Sequence, residues 1–149
     1  MLNIYVKVAF SHDYREITSD NSFFGKAVSK GIFKIDTWSS DFCDELDFNP
    51  KTDAVVVKHR INPLYGTNLE VYLQSRKINN VILTGVATDL AVQILARDLI
   101  DRDLSVIVAS DACATFCDET HEASLISLAR MSKVVTNKEL LSLGVDLLK

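Results

Sequence analysis

The sequence predicts an α/β protein with a mostly parallel β-sheet that is covered by helices on both faces. Strand-like segments alternate with helix-like segments, their spacing suits βαβ units, and some of the strands are continuous apolar runs. The chain has 149 residues, which is a common size for one domain, and its 48% hydrophobic content is enough for a buried core. We therefore expect a single domain over residues 1–149 without internal repeats.

The first half of the chain predicts two strands joined by a long irregular segment. Leu2–Phe10 is rich in β-branched and aromatic residues, which favour strands. Residues 11–50 contain Gly, Ser, Asp and clustered aromatic residues, and irregular segments of that length in compact domains are usually lids or binding loops. Asp53–Lys58, "DAVVVK", is typical of a buried strand that ends at a lysine.

The second half of the chain predicts three more strands, with helices between and after them. The predicted strands are Val81–Thr84, Leu104–Ala109 and Val134–Val135. Three helices are preceded by residues that can accept hydrogen bonds from first-turn amides: Thr67 or Asn68, Thr88 or Asp89, and Thr136. A further helix is predicted to start at Asp118. Thr136 begins a Thr-Asn-Lys-Glu pattern, which predicts a capping box at the final helix.

Composition and charge argue against several functional classes. A formal net charge of -4 and the lack of a basic cluster with interleaved aromatic residues disfavour a broad nucleic-acid surface. The longest apolar runs are strand-length, far short of a membrane span, and the N-terminus lacks the pattern of a secretory signal. We therefore expect a cytoplasmic protein that binds neither nucleic acid nor membranes.

The cysteines and histidines show no metal-binding pattern. They are Cys43, Cys113, Cys117, His12, His59 and His121. An odd number of cysteines without CxxC spacing indicates reduced thiols, and we expect Cys113 to be a small buried residue. The histidines lack zinc-site spacing and are expected at the surface or at a pocket rim. We expect no metal site and no cofactor.

Candidate functional residues lie where the predicted strands end, because ligands of parallel sheets bind outside the carboxyl ends of the strands. Lys58 closes an apolar strand, where it either reaches solvent or stands as a cation near a reaction centre. Asp111 follows the fourth strand and could either orient a catalytic group or cap loop amides. We expect Lys58, the segment Ala87–Ala91 and Asp111 to lie around one crevice.

The segment Gly85–Asp89, here called the elbow, joins a strand to a helix without providing a nucleophile. Many α/β enzymes hold a nucleophile at such a turn, but the following residues are Leu90, Ala91 and Val92. Unpaired amides at the helix N-terminus could still hold a developing oxyanion. The alternative is a plain strand-to-helix turn whose polar residues only cap the helix.

Several joined motifs accompany the elbow: a lysine that closes a strand, an aromatic-Gly-Thr before a helix, GV-x-T, ARD and DAC. With these motifs, the chain from Asp53 to its C-terminus resembles the isochorismatase-like cysteine hydrolases, and it does so more loosely back to Met1. The resemblance implies a three-layer αβα, Rossmann-like fold with a cis peptide before Ala87. It also implies an Asp–Lys–Cys triad that hydrolyses amide-type C–N bonds, with elbow amides holding the oxyanion.

The chain contains only some of the catalytic residues that the resemblance implies. Lys58 matches the family's lysine, whereas Ala91 stands where the family has its cysteine. The residues that match the family's oxyanion and elbow positions are Val86, Ala87, Thr88 and Leu90. The triad aspartate normally ends a first strand in an apolar-Asp-x-Gln pattern, and this sequence has no match to that strand or its helix. Isochorismatases proper have glycine in place of the cysteine and cleave a vinyl ether with the aspartate as acid. Ala91 alone permits that chemistry, whereas the unmatched aspartate does not.

In this family the unmatched strand is central, between the strands that correspond to Leu2–Phe10 and Val81–Thr84. Three accounts stay open: the true start lies upstream of this sequence, the two flanking strands pair directly, or another chain fills the gap.

Two functions therefore stay open from the sequence. The chain is either a hydrolase on a small amide or vinyl ether, or a non-catalytic relative (a pseudoenzyme) that binds a small molecule or serves as an oligomer partner. We expect Phe10, Tyr14, Trp38 and Tyr65 to line an aromatic pocket suited to a small planar ligand. The resemblance implies oligomers, and the aromatic-rich residues 11–50 would expose apolar surface if unpacked, so we expect a homo-oligomer.

Overall fold

The computed structural model describes residues 1–143, which contain five strands and five α-helices. In chain order they are β1 Ile4–Val8, α1 Gly25–Lys30, β2 Ala54–Lys58, α2 Leu69–Ser75, β3 Asn80–Val86, α3 Gln93–Ile100, β4 Ser105–Ala114, α4 Asp118–Leu128, β5 Lys133–Val135 and α5 Asn137–Ser142. The chain divides into two compact units, Met1–Asn68 and Leu69 onward. In the described part, every helix falls short of the length and apolar character that crossing a membrane requires.

The first unit is built on a parallel pair of strands. β1 and β2 run in register from Ile4 opposite Ala54 to Val8 opposite Lys58. A core forms beyond the end of β1, where Phe10 packs with Tyr14, Ile17 and Phe24. Part of the segment 11–50 therefore folds onto its own unit.

That segment is less irregular than the sequence predicts. It contains α1 and a short 3₁₀ turn at Trp38–Ser40, and α1 ends at Gly31, whose positive φ of 66° is readily adopted by glycine. Farther along, Phe42 and Phe48 both pack edge-on against the ring of Tyr5, at centroid distances of 5.5 and 5.2 Å. Phe42 and Phe48 therefore pack against β1, whereas Trp38 and Phe23 are exposed.

The second unit contains a three-stranded parallel sheet in the order β3-β4-β5. The middle strand is buried along Val106–Ala109, which explains its continuous apolar run. From the helices, Leu99 of α3 and Leu128 of α4 are fully buried and complete the core of this unit. Burying side chains of this size contributes about 1.5–3 kcal/mol each.

The fourth strand is longer than predicted. We expected it to end at Ala109, but it continues to Ala114, because its pairing with β3 resumes after an irregularity between Leu83 and Gly85. Gly85 then lies opposite Cys113, and Val86 opposite Ala114. The stretch that includes Cys113 is therefore strand, where the sequence predicted a loop.

The helix starts agree with local sequence signals in two cases and differ in one. Thr136 forms the predicted capping box: its Oγ1 accepts from the Glu139 amide, and the Glu139 carboxylate accepts from the Thr136 amide. α4 starts at Asp118 as predicted, and the side chain that caps it is that of Cys117. At the elbow, Thr88 opens a π-helical turn over Thr88–Val92 that leads into α3.

All strand pairs in the described chain are parallel, and strands alternate with helices, so the predicted α/β class is confirmed. The strands form two sheets, whereas the sequence suggested one. The three accounts of the unmatched strand stay open.

Candidate functional site

The elbow is an ordered turn between β3 and the helix that follows. The peptide between Val86 and Ala87 is cis, as the resemblance implied. The carbonyl of Ala87 accepts two hydrogen bonds, from the amides of Leu90 at 3.1 Å and Val92 at 3.2 Å. The second of these spans five residues, which is the spacing that defines a π-helical turn.

These bonds decide which elbow amides a ligand could use. The Leu90 amide, one of the four predicted oxyanion positions, already donates to Ala87, so a ligand oxygen would have to compete with that carbonyl. Thr88 and Asp89 lie in the first turn, where amides precede any acceptor within the helix. Donors of this kind can stabilise negative charge on an oxygen atom.

Two side-chain hydrogen bonds hold the start of the turn. Thr88 is 0% exposed, and its Oγ1 lies 2.9 Å from Nδ1 of His121 on α4. The next residue, Asp89, accepts a 2.5 Å hydrogen bond through Oδ1 from the Thr115 hydroxyl, just after β4. His121 is a residue that the sequence reasoning missed as part of the site: it lies far from the elbow along the chain, and no local motif links the two.

No reactive thiol stands at the nucleophile position. Ala91 lies partly buried in the π-helical turn, and its methyl group cannot attack a carbonyl. Cys113, opposite Gly85, is buried as expected, and burial raises the pKa of its thiol. The Asp111 carboxylate also raises this pKa, against a backbone hydrogen bond with Gly85 that lowers it. A raised pKa keeps the group as a thiol at neutral pH, and thiols are poor nucleophiles.

In the first unit, Lys58 ends β2 as a buried cation. The residue is only 6% exposed, and its Nζ donates to the carbonyls of Arg60 at 3.1 Å and Ile61 at 2.8 Å. Burial lowers its pKa to about 8. Within residues 1–68, no carboxylate forms an ion pair with it. Of the two alternatives left open by the sequence, the lysine therefore does not extend into solvent.

The other predicted site residues have diverse environments. Phe10 lies in the core of the first unit, while Trp38 and Tyr65 are exposed. Asp111 is exposed, and its Oδ1 accepts from the Asn137 amide at 2.7 Å, which is the backbone-capping alternative. Two expectations stay predictions. One is the aromatic pocket, and the other is the placement of Lys58, the elbow and Asp111 around one crevice.

Over residues 1–143, no three His, Cys, Asp or Glu side chains are grouped as a metal site.

Comparison with known proteins identifies related chains. A family model described as the isochorismatase domain matches residues 4–139. The isochorismatase family protein YwoC of Bacillus subtilis (strain 168) is 36% identical over 90 residues, which are 60% of this chain and 48% of YwoC. Nicotinamidase 3 of Arabidopsis thaliana is 28% identical over 125 residues, which are 83% of this chain and 63% of that enzyme.

A solved structure shows the same relationship. The crystal structure of an isochorismatase-like hydrolase from Alkaliphilus metalliredigens superposes with a TM-score of 0.78 at 29% identity, covering 93% of this chain and 71% of that one. By contrast, the chain spans about half the length of the curated relatives that it matches first, at 48% and 49%.

Proposed function

The chain belongs to the isochorismatase family, and on that premise we propose that it binds a small carbonyl compound or vinyl ether at the elbow without thiol-dependent hydrolysis. The ligand would be an amide, a ureido compound or an isochorismate-like acid. This makes the chain a hydrolase-like protein with an incomplete triad that retains the binding part of the site.

One observation carries the proposal: the elbow is ordered while Ala91 occupies the position of the nucleophile. The π-helical turn is formed, and the Ala87 carbonyl accepts both of its hydrogen bonds. The buried Thr88 hydroxyl is also hydrogen-bonded. The nearby thiol of Cys113 is buried and its pKa is raised, so it does not replace the missing cysteine. A site with oriented amides but without a nucleophile is suited to binding a polarised oxygen atom.

Exposed apolar groups beside the elbow support a ligand with an apolar part. Val86, at the end of β3, is 76% exposed, and Phe116, next to Thr115, is 98% exposed. An aromatic side chain left in solvent beside oriented amides can cover the flat face of a small ring. This supports aromatic amides such as nicotinamide as the first compounds to test.

The test is a panel of nicotinamide, an N-carbamoyl amino acid and isochorismate, with binding measured by calorimetry and product by chromatography. We expect at least one compound to bind and no product whose formation is abolished by alkylation. Product formation that alkylation abolishes, and that substrate protects, would overturn the proposal. So would the absence of binding by every compound.

A matched pair of variants locates the binding site. Ala91→Phe places a ring in the first turn after the elbow and should weaken binding at least tenfold. Ala129 is exposed and follows the C-terminal end of α4. Ala129→Phe adds the same ring elsewhere in the unit and should leave binding unchanged. Equal effects of the two variants would place the ligand outside the elbow.

One observation favours hydrolysis through another group as a second candidate. Lys58 is kept buried as a cation although burial is costly, and its partners are backbone carbonyls. A costly buried cation is common where negative charge develops in a reaction. Product formed by the wild type, unaffected by alkylation and lost in Lys58→Ala, would support this candidate.

A further inference from the structure

We infer that His121 is a positioning residue for the elbow, acting through its hydrogen bond to Thr88. The imidazole fixes the first residue of the π-helical turn and thereby the direction of the amides that follow it. The inference rests on the proposed function only in assigning those amides to ligand binding. The positioning itself is a property of the free protein.

The Thr88 hydroxyl is buried and needs a partner within the protein. Thr88 is 0% exposed, so its hydroxyl cannot exchange a lost partner for water. Leaving a buried hydroxyl unpaired costs about 1–3 kcal/mol. Nδ1 of His121 lies 2.9 Å from Oγ1 and satisfies it. The position of the elbow is therefore coupled to the position of the imidazole on α4.

A second hydrogen bond holds Asp89, the residue after Thr88. Asp89 accepts from the Thr115 hydroxyl at 2.5 Å, and Thr115 follows β4 directly. Two consecutive elbow residues are thus tied to two different elements, one to α4 and one to the end of β4. Two such anchors restrict rotation of the turn about the helix axis, which a single cap at one residue would allow.

The first turn of α4, which carries His121, is itself held by hydrogen bonds. Cys117 caps the helix by accepting the Thr120 amide at its Sγ, 3.4 Å away, and the His121 amide donates to the Cys117 carbonyl at 3.1 Å. The buried Ser124 donates to the Thr120 carbonyl at 2.8 Å. His121 therefore lies in an ordered first turn, from which an imidazole can hold a partner at a defined distance.

The experiment uses two pairs of variants of the full chain. Thr88→Val keeps the shape of the side chain and removes its hydroxyl, whereas Thr88→Ser keeps the hydroxyl. His121→Ala removes the imidazole, whereas His121→Asn retains a polar atom close to the position of Nδ1. His12→Ala, an exposed histidine of the first unit, is the control for loss of an imidazole.

The first readout is the amide chemical shifts of the elbow in ligand-free protein, recorded by ¹H–¹⁵N NMR. We expect His121→Ala and Thr88→Val to change the chemical shifts of the Ala87, Leu90 and Ala91 amides. His121→Asn and Thr88→Ser should keep these shifts close to their wild-type values. His12→Ala should leave them unchanged. Unchanged elbow shifts in both His121→Ala and Thr88→Val would overturn the inference. If His121→Ala does not fold, the comparison of Thr88→Val with Thr88→Ser tests the same hydrogen bond.

The second readout is affinity for the compound that binds most tightly in the panel above. His121→Ala and Thr88→Val should each weaken binding about tenfold, and the double variant should weaken it no further, because both remove one interaction. Additive losses would overturn the inference. If no compound binds, the proposed function fails, while the shifts of the free protein still decide the role of His121.

Discussion

Replacing Lys58 by methionine should change how the stability of the protein depends on pH. Lys58→Met keeps a long unbranched side chain and removes the buried ammonium group. In the wild type, burial lowers the pKa of Lys58 from its ordinary value of 10.5 to about 8, so between these values the unfolded chain binds a proton that the folded chain has released. Stability therefore rises as pH increases through this window and is lost as pH falls towards 8.

The magnitude follows from the lowered pKa. Each pKa unit is about 1.4 kcal/mol of free energy, so a change from 10.5 to about 8 amounts to about 3 kcal/mol. Residual solvent screening at the ammonium reduces this, and we expect a gain of about 2 kcal/mol. The free energy of unfolding of the wild type minus that of Lys58→Met should rise by this amount between pH 7 and pH 10.5, because all other titrating groups cancel in the difference.

The assay is urea unfolding followed by circular dichroism at pH 7, 8, 9, 10 and 10.5. Lys51→Met, which replaces an exposed lysine of the same unit, is the control, and its difference curve should stay flat. A flat or falling curve for Lys58→Met would refute the burial of the cation. A rise that is complete by pH 8 would also contradict the reasoning, because it would place the titration on another group.

Three further predictions concern the thiols, the last helix and the assembly. Iodoacetamide at pH 7 should modify the exposed Cys43 and Cys117 before Cys113, whose burial raises its thiol pKa, and peptide mass spectrometry showing Cys113 modified first would contradict this. Thr136→Ala should destabilise α5 by about 1 kcal/mol through loss of the capping box, whereas Thr136→Ser should not, as hydrogen exchange of the Glu139 amide will report. We also propose a homo-oligomer, so sedimentation equilibrium at micromolar protein should give a multiple of 16.6 kDa, and the monomer mass would reject it.

The sequence was most informative where the interactions are local. The capping box at Thr136 joins residues three apart, so the residue types alone predict it. Apolar runs likewise predicted the buried part of β4, because a strand covered on both faces needs apolar residues at every position. The cis peptide and the position of Ala91 came from matching joined motifs to a family.

The sequence was least informative where the outcome depends on distant partners. The hydrogen bond between Thr88 and His121 depends on how α4 packs against the turn, and no residue pattern encodes that distance. The extension of β4 to Ala114 requires pairing with β3 to resume after an irregularity. Lys58 could have reached solvent, but it is 6% exposed and donates to the carbonyls of Arg60 and Ile61, which follow β2.

The most direct test of the account is an NMR titration of the wild-type protein with the best-binding compound, with product measured in the same sample. We predict that the amides of Ala87, Thr88 and Ala91 shift most, in proportion to occupancy, while the compound stays intact or is cleaved without involvement of a thiol. Elbow amides that stay unmoved while the compound binds elsewhere would contradict the central claim.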